Sequence, residues 1–324
     1  MVVQKSIVLN SNKNKQFQMK TFLITGSNGL LGQKLVKKLL NKNHKVIATS
    51  KGNDRLNIQH QHYTYESLDI TNFDNIKNIF EKYKPDVIIN TAAMTNVDAC
   101  ELNPYDCYMQ NTKSVEGMVS VLSAFQDDSY IPHFIHLSTD FIFDGTKKML
   151  TEEDVPNPLS IYANSKLEAE KIIQQSDLKK WAIARTILVY GVARNMSRTN
   201  IVLWIKQSLE QNKEISIVTD QFRTPTLAED LADGCILIAE KNATGIFNIG
   251  GKDFMSIYEL ACRVADFFHL NKNLIKPSLS TDIKQPAKRP PITGLDITKA
   301  QKILNYNPHS FEEGLKIIAE QLSF

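Results

Sequence analysis

The sequence predicts an α/β fold in which a doubly wound parallel sheet is followed by a smaller C-terminal α/β lobe. From residue 21 to about residue 180, short β-rich apolar runs alternate with segments whose apolar residues recur at helical spacing. Strands that alternate with helices imply right-handed crossovers and a parallel sheet covered by helices on both faces. Beyond residue 186 the alternation becomes irregular, which indicates insertions that build a second lobe at the end of the sheet.

Each element of the predicted sheet follows from its composition. Five runs read as buried parallel strands: TFLIT (21–25), KVIAT (45–49), DVIIN (86–90), HFIHLS (133–138) and WAIART (181–186). Helical periodicity predicts helices over residues 30–42, 72–83 and 103–125 in the first half, and over 199–211, 228–241 and 256–268 in the second. Short strands are expected at 215–218 and 245–251.

These elements predict three parts of the chain. Residues 1–18 are expected to form a disordered extension, because Asn and Lys interrupt their short apolar run, and Met19 is an alternative start. Residues 19–186 would form the sheet domain. Residues 187–324 would form mostly the substrate-binding lobe, with strands and helices that return to the sheet domain.

Composition narrows the function classes. The 324 residues are 42% hydrophobic and 23% charged with a formal net charge of +3, values typical of a globular protein. The basic residues are scattered, which does not favour nucleic acid as a partner. No apolar run approaches the roughly 18 residues that cross a bilayer, so no membrane association is expected. The four cysteines form no CxxC pair, which indicates free thiols and a cytoplasmic location.

A glycine-rich turn follows the first predicted strand. In LITGSNGLLGQKL, the residues Gly26, Gly29 and Gly32 lie between that strand and the next helix. A tight strand-to-helix turn needs residues without a Cβ, and the free amides of a helix N-terminus attract a diphosphate. The turn therefore predicts a dinucleotide site, although a plain strand-to-helix turn is the alternative for such a motif on its own.

The end of the second strand bears on the choice of dinucleotide. An NAD site usually has an acidic residue there, whereas this chain has Ser50, Lys51 and Arg55, with Asp54 close by. Hydroxyl and cationic groups suit a 2′-phosphate and favour NADPH; NADH and a reading of the two cations as solvated loop residues stay open. LDIT places Asp69 at a strand end, where it is expected to contact the adenine amino group.

A tyrosine and a lysine are spaced one helical turn apart. Tyr162 and Lys166 lie in a segment that Pro158 and Ser160 should begin, so both side chains would project from one face of a helix. A phenol with its ordinary pKa near ~10 is a reluctant acid, and a neighbouring ammonium would lower that pKa. The pair predicts proton transfer at the same sheet edge as the glycine turn.

The order of these motifs resembles the extended short-chain dehydrogenase/reductases, and within them the dTDP-4-dehydrorhamnose reductase family. The resemblance runs from residue 20 to about residue 322 and includes TGSNGLLG, INTAAMTNVDACE, LSTDFIFDG, YANSKLEAE, RTILVYG, DQFRTPT, GIFNIGG and KRPPITGLD. It implies a Rossmann sheet, a substrate that is a nucleotide-linked sugar, and hydride delivery from NADPH to a C4 ketone. Thr139 would be the catalytic hydroxyl, Tyr162 the proton donor, and Lys166 the residue that tunes the tyrosine and holds the nicotinamide ribose.

Pattern and resemblance together give the expected binding residues. The cofactor set is Gly26, Asn28, Gly29, Leu30, Leu31, Gly32, Ser50, Lys51, Arg55, Asp69, Ile70, Ala92, Ala93, Met94, Tyr162 and Lys166. The substrate set is Val97 and Asp98 in a TNVD loop, Thr139, Asp140, Leu188, Arg223 and Arg289. No metal-ligating set is identified, and a role for Mg²⁺ is left open.

Two positions depart from the family pattern. Leu188 stands where Trp is frequent, which removes a flat packing surface, and Arg223 stands where Gly is frequent. The guanidinium could clamp a diphosphate in two-pronged fashion, and its alternative is an ion pair with Glu229 or Asp230.

Three polar residues near these motifs receive structural interpretations. His136 is interpreted as a core histidine, and Ser138 as a residue that hydrogen-bonds the backbone at the strand end. Asn111 is interpreted either as an amide that orders water or as a helix-packing residue.

Two other functions remain open at this stage. An epimerase or a reductase of another sugar nucleotide could use the same fold. A non-catalytic NADP-binding protein is the third reading, because the resemblance extends to a regulatory subunit of methionine adenosyltransferase. A homodimer is what the family suggests.

Overall fold

Seven parallel strands form the central sheet of the protein, whose computed structural model describes residues 18–195 and 199–323. The predicted extension therefore lies outside the described residues, apart from its last position. The strands of the chain are β1 Thr21–Thr25, β2 Lys45–Ser50, β3 Tyr63–Ser67, β4 Val87–Asn90, β5 His133–Thr139, β6 Met149–Leu150, β7 Trp181–Thr186, β8 Val189–Tyr190, β9 Ile215–Val218, β10 Phe222–Arg223, β11 Thr226–Leu227, β12 Gly245–Asn248, β13 Met255–Ser256, β14 Ile275–Ser278 and β15 Ile292–Leu295.

The central sheet has the order β12-β7-β5-β4-β1-β2-β3, with every neighbouring pair parallel. The order reverses between β1 and β4, and a crevice opens at such a point beyond the carboxyl ends of the strands. The doubly wound parallel sheet is thus confirmed. All five predicted strands are present, and the short strand predicted at 245–251 is β12. The seventh strand, β3, ends just before Asp69, the residue placed at a strand end, and its side chains are half-buried and mostly polar at the sheet edge.

Helices cover both faces of this sheet. They are α1 Leu30–Asn41, α2 Phe73–Tyr83, α3 Val97–Leu102, α4 Pro104–Tyr108, α5 Ser114–Phe125, α6 Ile161–Gln174, α7 Ile201–Glu210, α8 Ala228–Glu240, α9 Ile257–Phe267, α10 Thr298–Leu304 and α11 Phe311–Leu322. The predicted helix over 103–125 is α4 and α5 joined by a π-helical turn, Met109–Lys113. Such turns are frequent at functional sites.

The core follows from the alternation of side chains along each strand. In β1, Phe22 and Ile24 join the apolar cluster on the face covered by α1 and α8, whereas Leu23 joins the cluster with α2 and α5 on the other face. A third cluster, with residues of α7, α9 and α11, forms the core of the C-terminal part. That part contributes β12 to the central sheet, carries the small sheets β11-β8 and β14-β9, and supplies β13, β10 and β15 to a third small sheet, β13-β10-β15-β6, whose edge strand β6 comes from the first part of the chain.

A buried ion pair joins α6 to β7. Arg185 Nη2 lies 2.7 Å from Glu170 Oε2, and the two side chains are 3% and 0% exposed. Because removing one partner strands a charge away from water, we expect Arg185→Met to lower the free energy of unfolding by about 3 to 5 kcal/mol in urea denaturation. Lys179→Ala, which breaks an exposed pair with Asp128, should cost less than about 1 kcal/mol. Equal effects from the two changes would contradict this account.

Candidate active site

The carboxyl ends of the central strands open into one large cleft of about 1480 Å³. Every residue of the predicted cofactor and substrate sets lines this cleft except Asp98. The glycine turn, the Tyr-Lys pair and the substrate candidates, which are far apart in the sequence, are therefore neighbours around a single space.

The glycine turn is shaped by close backbone contacts. Gly26 has φ +67°, in the left-handed region, and a Cβ there would lie 2.8 Å from Thr91 Oγ1. A Cβ on Gly32 would lie 2.4 Å from the carbonyl oxygen of Gly26. The N-cap of α1 is Gly29, which has no side chain that could accept from the first amides of the helix. The first turn contains no acidic residue. The free amides of α1 thus face the cleft without a competing anion, which fits a diphosphate.

The loop after β2 is tied to the glycine turn. The amide of Asn28 donates to Ser50 Oγ at 3.0 Å, and the Asn28 carboxamide oxygen accepts from the amide of Arg55 at 3.0 Å. Asp54 does not line the cleft; its carboxylate accepts from the Tyr63 hydroxyl at 2.9 Å. The Asp54 carboxylate, which left the choice between NADPH and NADH open in the sequence, is therefore directed away from the cleft.

A salt bridge joins two residues of the cleft near the end of β2. Lys51 Nζ lies 2.7 Å from Asp69 Oδ2, and the Lys51 side chain is 82% exposed. The hydrogen bond from Lys51 is the main cause that lowers the pKa of Asp69 to about 2, so this carboxylate is charged at neutral pH. Asp69 also accepts from the hydroxyl and the amide of Thr71.

The three predicted catalytic side chains converge from β5 and α6. Ser160 is the N-cap of α6, as predicted, and accepts from the amide of Ala163 at 3.3 Å. Tyr162, in the first turn, is buried and lines the cleft together with Thr139. Thr139, the last residue of β5, also donates to Asp140 Oδ1 at 3.2 Å.

The expected lowering of the pKa of Tyr162 is wrong. Burial is the largest influence and raises the pKa of the phenol, and the nearby Thr139 hydroxyl acts in the opposite direction. The Lys166 ammonium is directed elsewhere: Nζ lies 3.0 Å from Nε2 of His136. The phenol therefore stays protonated at neutral pH, which is the state that a proton donor needs.

Lys166 itself is fully buried beneath the cleft. Burial lowers the pKa of its ammonium to about 8, with the charge of Glu170 acting in the opposite direction. His136, interpreted from the sequence as a core residue, is buried and well paired, and one of its partners is this lysine. The strand register could have indicated this polar contact, because Thr25, Asn90 and His136 are opposite one another on three adjacent strands.

Asp140 and Arg223 lie close together at the wall of the cleft. Asp140 Oδ2 accepts from Thr293 Oγ1 at 2.5 Å and lies 3.9 Å from Arg223 Nε. Burial raises the pKa of Asp140, while the guanidinium opposes that rise. The terminal nitrogens of Arg223 donate to the main-chain carbonyls of Phe222, Pro290 and Pro291, rather than being free for a two-pronged clamp.

The alternative ion pair of Arg223 is wrong. Glu229 instead accepts from Lys34 Nζ at 2.7 Å, and Asp230 lies 2.6 Å from His309 Nδ1. Both acids belong to the first turn of α8, where they bind partners from α1 and from the segment before α11. Glu229 and Asp230 are close to Arg223 in the sequence, but in the fold they pair with Lys34 and His309 instead.

Asp98 and Arg289 bind each other. Arg289 Nη2 lies 2.7 Å from Asp98 Oδ2, and this contact is the main cause that lowers the pKa of Asp98. Val97 and Asp98 form the first turn of α3, which Asn96 caps, rather than the predicted loop. The pair joins the Pro-rich segment of the C-terminal part to the wall of the cleft. Leu188, also at the cleft, has a strained φ of +39°.

Asn111 packs helices together. Its side-chain oxygen accepts from the amide of Met94 at 2.7 Å, and its nitrogen donates to the Met94 carbonyl and to Ser165 Oγ at 3.0 Å. These bonds fix the loop after β4 against α6. The structure thus supports the packing interpretation of this amide.

Two buried hydroxyls remain available at the cleft. Within the described part of the chain, Ser138 Oγ and Thr186 Oγ1 have no hydrogen-bond partner, although both residues line the cleft. The expected backbone bond of Ser138 is therefore wrong. Unpaired buried hydroxyls are costly unless a ligand satisfies them, so these two fit a polar cofactor group as the glycine turn fits a diphosphate.

Two other features are absent from the described residues. No helix there is both long and apolar enough to span a bilayer. No group of three or more His, Cys, Asp or Glu side chains within 18–195 and 199–323 is arranged as a metal site.

Fold and site together define the class. A doubly wound sheet with a glycine turn on β1, a hydroxyl at the end of β5, and a tyrosine and lysine one turn apart is the arrangement of an extended short-chain dehydrogenase/reductase. The family described as RmlD substrate binding domain matches residues 19–324, and the chain belongs to that family.

Named relatives agree with this membership. The chain is 32% identical over 313 residues to the dTDP-4-dehydrorhamnose reductase of Aggregatibacter actinomycetemcomitans, an alignment that covers 93% of this chain and 98% of that protein. It is 26% identical over 299 residues to the methionine adenosyltransferase 2 subunit beta of Mus musculus, covering 91% and 85%. The crystal structure of a dTDP-4-dehydrorhamnose reductase from Clostridium acetobutylicum superimposes with a TM-score of 0.80 at 28% identity, covering 94% of this chain and 100% of that one.

Proposed function

We propose that this protein is an NADPH-dependent reductase of a nucleotide-linked 4-keto-6-deoxysugar, of the dTDP-4-dehydrorhamnose reductase type, in nucleotide-sugar and polysaccharide biosynthesis. The observation that carries the proposal is that Thr139, Tyr162 and Lys166 line one cleft together with the glycine turn, with a phenol that burial keeps protonated. The named relative at 32% identity has this activity in its name. A cytoplasmic location and a homodimer stay predictions, and a role for Mg²⁺ stays open.

The residues of this chain divide the work of a ketone reduction. NADPH, when bound, supplies the hydride. Tyr162 donates its phenolic proton to the ketone oxygen as negative charge develops there, and Thr139 hydrogen-bonds the same oxygen and orients it. Lys166 lies one turn further along α6, and its ammonium stabilises the negative charge that the Tyr162 oxygen carries once its proton has left. Asp140, held by Thr293, is aligned toward the sugar hydroxyls.

The preference for NADPH rests on cationic groups at the end of β2. Lys51 and Arg55 line the adenosine end of the cleft, while Asp54 is held by Tyr63. We expect Lys51→Ala to raise the KM for NADPH about fivefold, as for loss of a solvent-exposed ionic contact of about 1 kcal/mol, and to change the KM for NADH less than about twofold. Lys77→Ala, which removes an exposed lysine of α2, is the matched control. Equal changes for both cofactors would contradict the assignment.

An NADPH-oxidation assay separates the candidate reactions. The purified protein would be offered dTDP-4-keto-6-deoxyhexoses, with the GDP and UDP analogues as controls, and oxidation is expected with the dTDP-linked ketone. An epimerase would convert its substrate without net consumption of NADPH. Absence of turnover with all of these compounds would favour a non-catalytic binding protein instead. The similarity to a methionine adenosyltransferase subunit is the observation behind that alternative.

A further inference from the structure

A line of buried polar side chains runs beneath the active site from β1 to α6. Thr25, Asn90 and His136 are opposite one another on the adjacent strands β1, β4 and β5. Thr25 Oγ1 donates to Asn90 Oδ1 at 2.6 Å, Asn90 Nδ2 lies 3.0 Å from His136 Nδ1, and His136 Nε2 lies 3.0 Å from Lys166 Nζ. All four side chains belong to residues at most 3% exposed, so water does not compete for these bonds.

The donors and acceptors of this line allow two arrangements. In the first, the Thr25 hydroxyl accepts from the amide of Ala92 at 3.2 Å and donates to Asn90 Oδ1, so Asn90 Nδ2 donates to His136 Nδ1. The imidazole proton is then on Nε2, facing Lys166. An ammonium has three donors and no acceptor, so this arrangement fits only the neutral amine of Lys166.

The second arrangement fits the charged lysine. If the Asn90 amide turns over, its oxygen accepts from His136 Nδ1–H, and Nε2 becomes free to accept from the Lys166 ammonium. The heavy atoms hardly move between the two arrangements. What changes is the tautomer of a neutral imidazole, the orientation of one amide, and the role of the Thr25 hydroxyl, which then accepts from Asn90 Nδ2 instead of donating to Asn90 Oδ1.

We propose that His136 is a positioning residue for Lys166: oriented by Asn90, its neutral imidazole accepts the hydrogen bond that fixes the Lys166 ammonium beneath the active site, and its tautomer changes when Lys166 loses its proton. The hydrogen-bond geometry stands by itself, and the consequence for turnover rests on the proposed reductase function. His136 does not touch substrate or cofactor in this role. It acts through the lysine.

Few other ionisable groups face Lys166. Cys107 approaches from α4, and Tyr162 and Glu170 share α6 with the lysine; Glu170 is neutralised by Arg185. His136 stays neutral, because burial holds its pKa well below the usual value. The pKa of Cys107, in contrast, is lowered to about 7, chiefly by a hydrogen bond with Cys100, so its titration must be separated from that of the lysine.

The sign of the expected effect follows from the acceptor. An acceptor at Nε2 stabilises the charged form of Lys166 and raises its pKa, so that removal of the acceptor makes the lysine lose its proton at lower pH. A hydrogen bond to a charged group is strong enough to shift the midpoint by about one pH unit, a tenfold change in the protonation equilibrium. The alkaline fall of kcat should move down by the same amount, because Lys166 supports catalysis in its charged form.

The test uses three substitutions of His136 that differ in where an acceptor lies. His136→Gln carries an amide oxygen near the former Nε2, His136→Asn carries it near the former Nδ1, and His136→Phe carries none. The Lys166 titration would be followed by NMR in protein labelled with [¹³Cε]lysine, with Lys166→Met to assign the resonance. Cys107→Ser would show that the observed midpoint is not that of the thiol, and melting temperatures would show that each variant is folded.

We expect the Lys166 midpoint to fall by about one unit in His136→Phe and in His136→Asn, and to stay within about 0.3 units of the parent in His136→Gln. In the parent, ¹⁵N spectra should show the His136 proton moving from Nδ1 to Nε2 across the same midpoint. An unchanged midpoint in folded His136→Phe and His136→Asn, or a tautomer that does not change with pH, would overturn the proposal.

The two proposals fail in different ways. The NMR titration needs neither substrate nor cofactor, so it tests the role of His136 even if no sugar nucleotide is turned over. If the ketone is reduced but the Lys166 midpoint is the same in the parent and in the His136 variants, the positioning role alone is wrong. If the midpoint shifts but no ketone is reduced, the reductase assignment alone is wrong.

Discussion

Replacing Tyr162 with Phe is expected to lower kcat for NADPH oxidation by about a thousandfold and to leave the Kd for NADPH within about twofold of the parent. The phenolic proton is the one that the ketone oxygen must receive, and Thr139 is a hydroxyl whose pKa is too high to replace it. The ring of Tyr162 packs edge-on against Phe141, and Phe keeps that contact. The loss should therefore appear in kcat and not in folding.

A second tyrosine provides the matched control. Tyr130 is also partly buried and donates to the carbonyl of Pro85 at 3.0 Å, but it does not line the cleft. Tyr130→Phe should leave kcat within about twofold, at a cost of about 1 kcal/mol in stability for the lost hydrogen bond. If Tyr162→Phe retained more than a tenth of the parent activity, another group would have to be the acid.

Substitution of Gly32 by Ala is expected to weaken NADPH binding about 30- to 100-fold, measured by fluorescence titration. The added Cβ would lie 2.4 Å from the Gly26 carbonyl oxygen and 2.6 Å from Ser27 Cα, which are both backbone atoms. The turn must shift to relieve this overlap at about 2 to 3 kcal/mol, and the amides that face the diphosphate shift with it.

Two other glycines control for this result. A Cβ on Gly29 would meet its nearest atom at 3.2 Å, so Gly29→Ala should cost less than about fivefold in affinity. A Cβ on Gly234 would lie 2.4 Å from a side-chain atom of Ile249, away from the cleft, so Gly234→Ala should lower stability without changing the Kd for NADPH. If Gly234→Ala weakened binding as much as Gly32→Ala, the effect would be one of global stability.

Much of the fold could be predicted because its signals are local. Buried parallel strands are nearly continuous apolar runs, and a glycine turn or an i, i+4 pair is visible in a few residues. The sheet edge then brings those groups together, because parallel strands end on the same side. For the edge strand β3 only its end near Asp69 was predicted and not its extent, since YTYES is half-buried and its polar side chains give no apolar run.

The details that escaped prediction depend on contacts between distant parts of the chain. The Asp98–Arg289 pair joins residues 191 positions apart, and Arg223 is held by carbonyls of a segment 67 positions later. The pKa of Tyr162 is raised by burial. That burial comes from tertiary packing, which the spacing of residues in the sequence does not predict. His136 looked like core because its strand is apolar on both sides, and only the strand register shows that it meets Lys166.

The central claim is that this cleft reduces the C4 ketone of a nucleotide-linked 6-deoxysugar at the expense of NADPH. The most direct measurement is mass spectrometry of the product formed from a dTDP-4-keto-6-deoxyhexose and NADPH deuterated at the transferable position of its nicotinamide. The account predicts one deuterium in each product molecule and one NADPH oxidised for each ketone reduced. A product without deuterium, or conversion of the sugar with no net oxidation of NADPH, would contradict it.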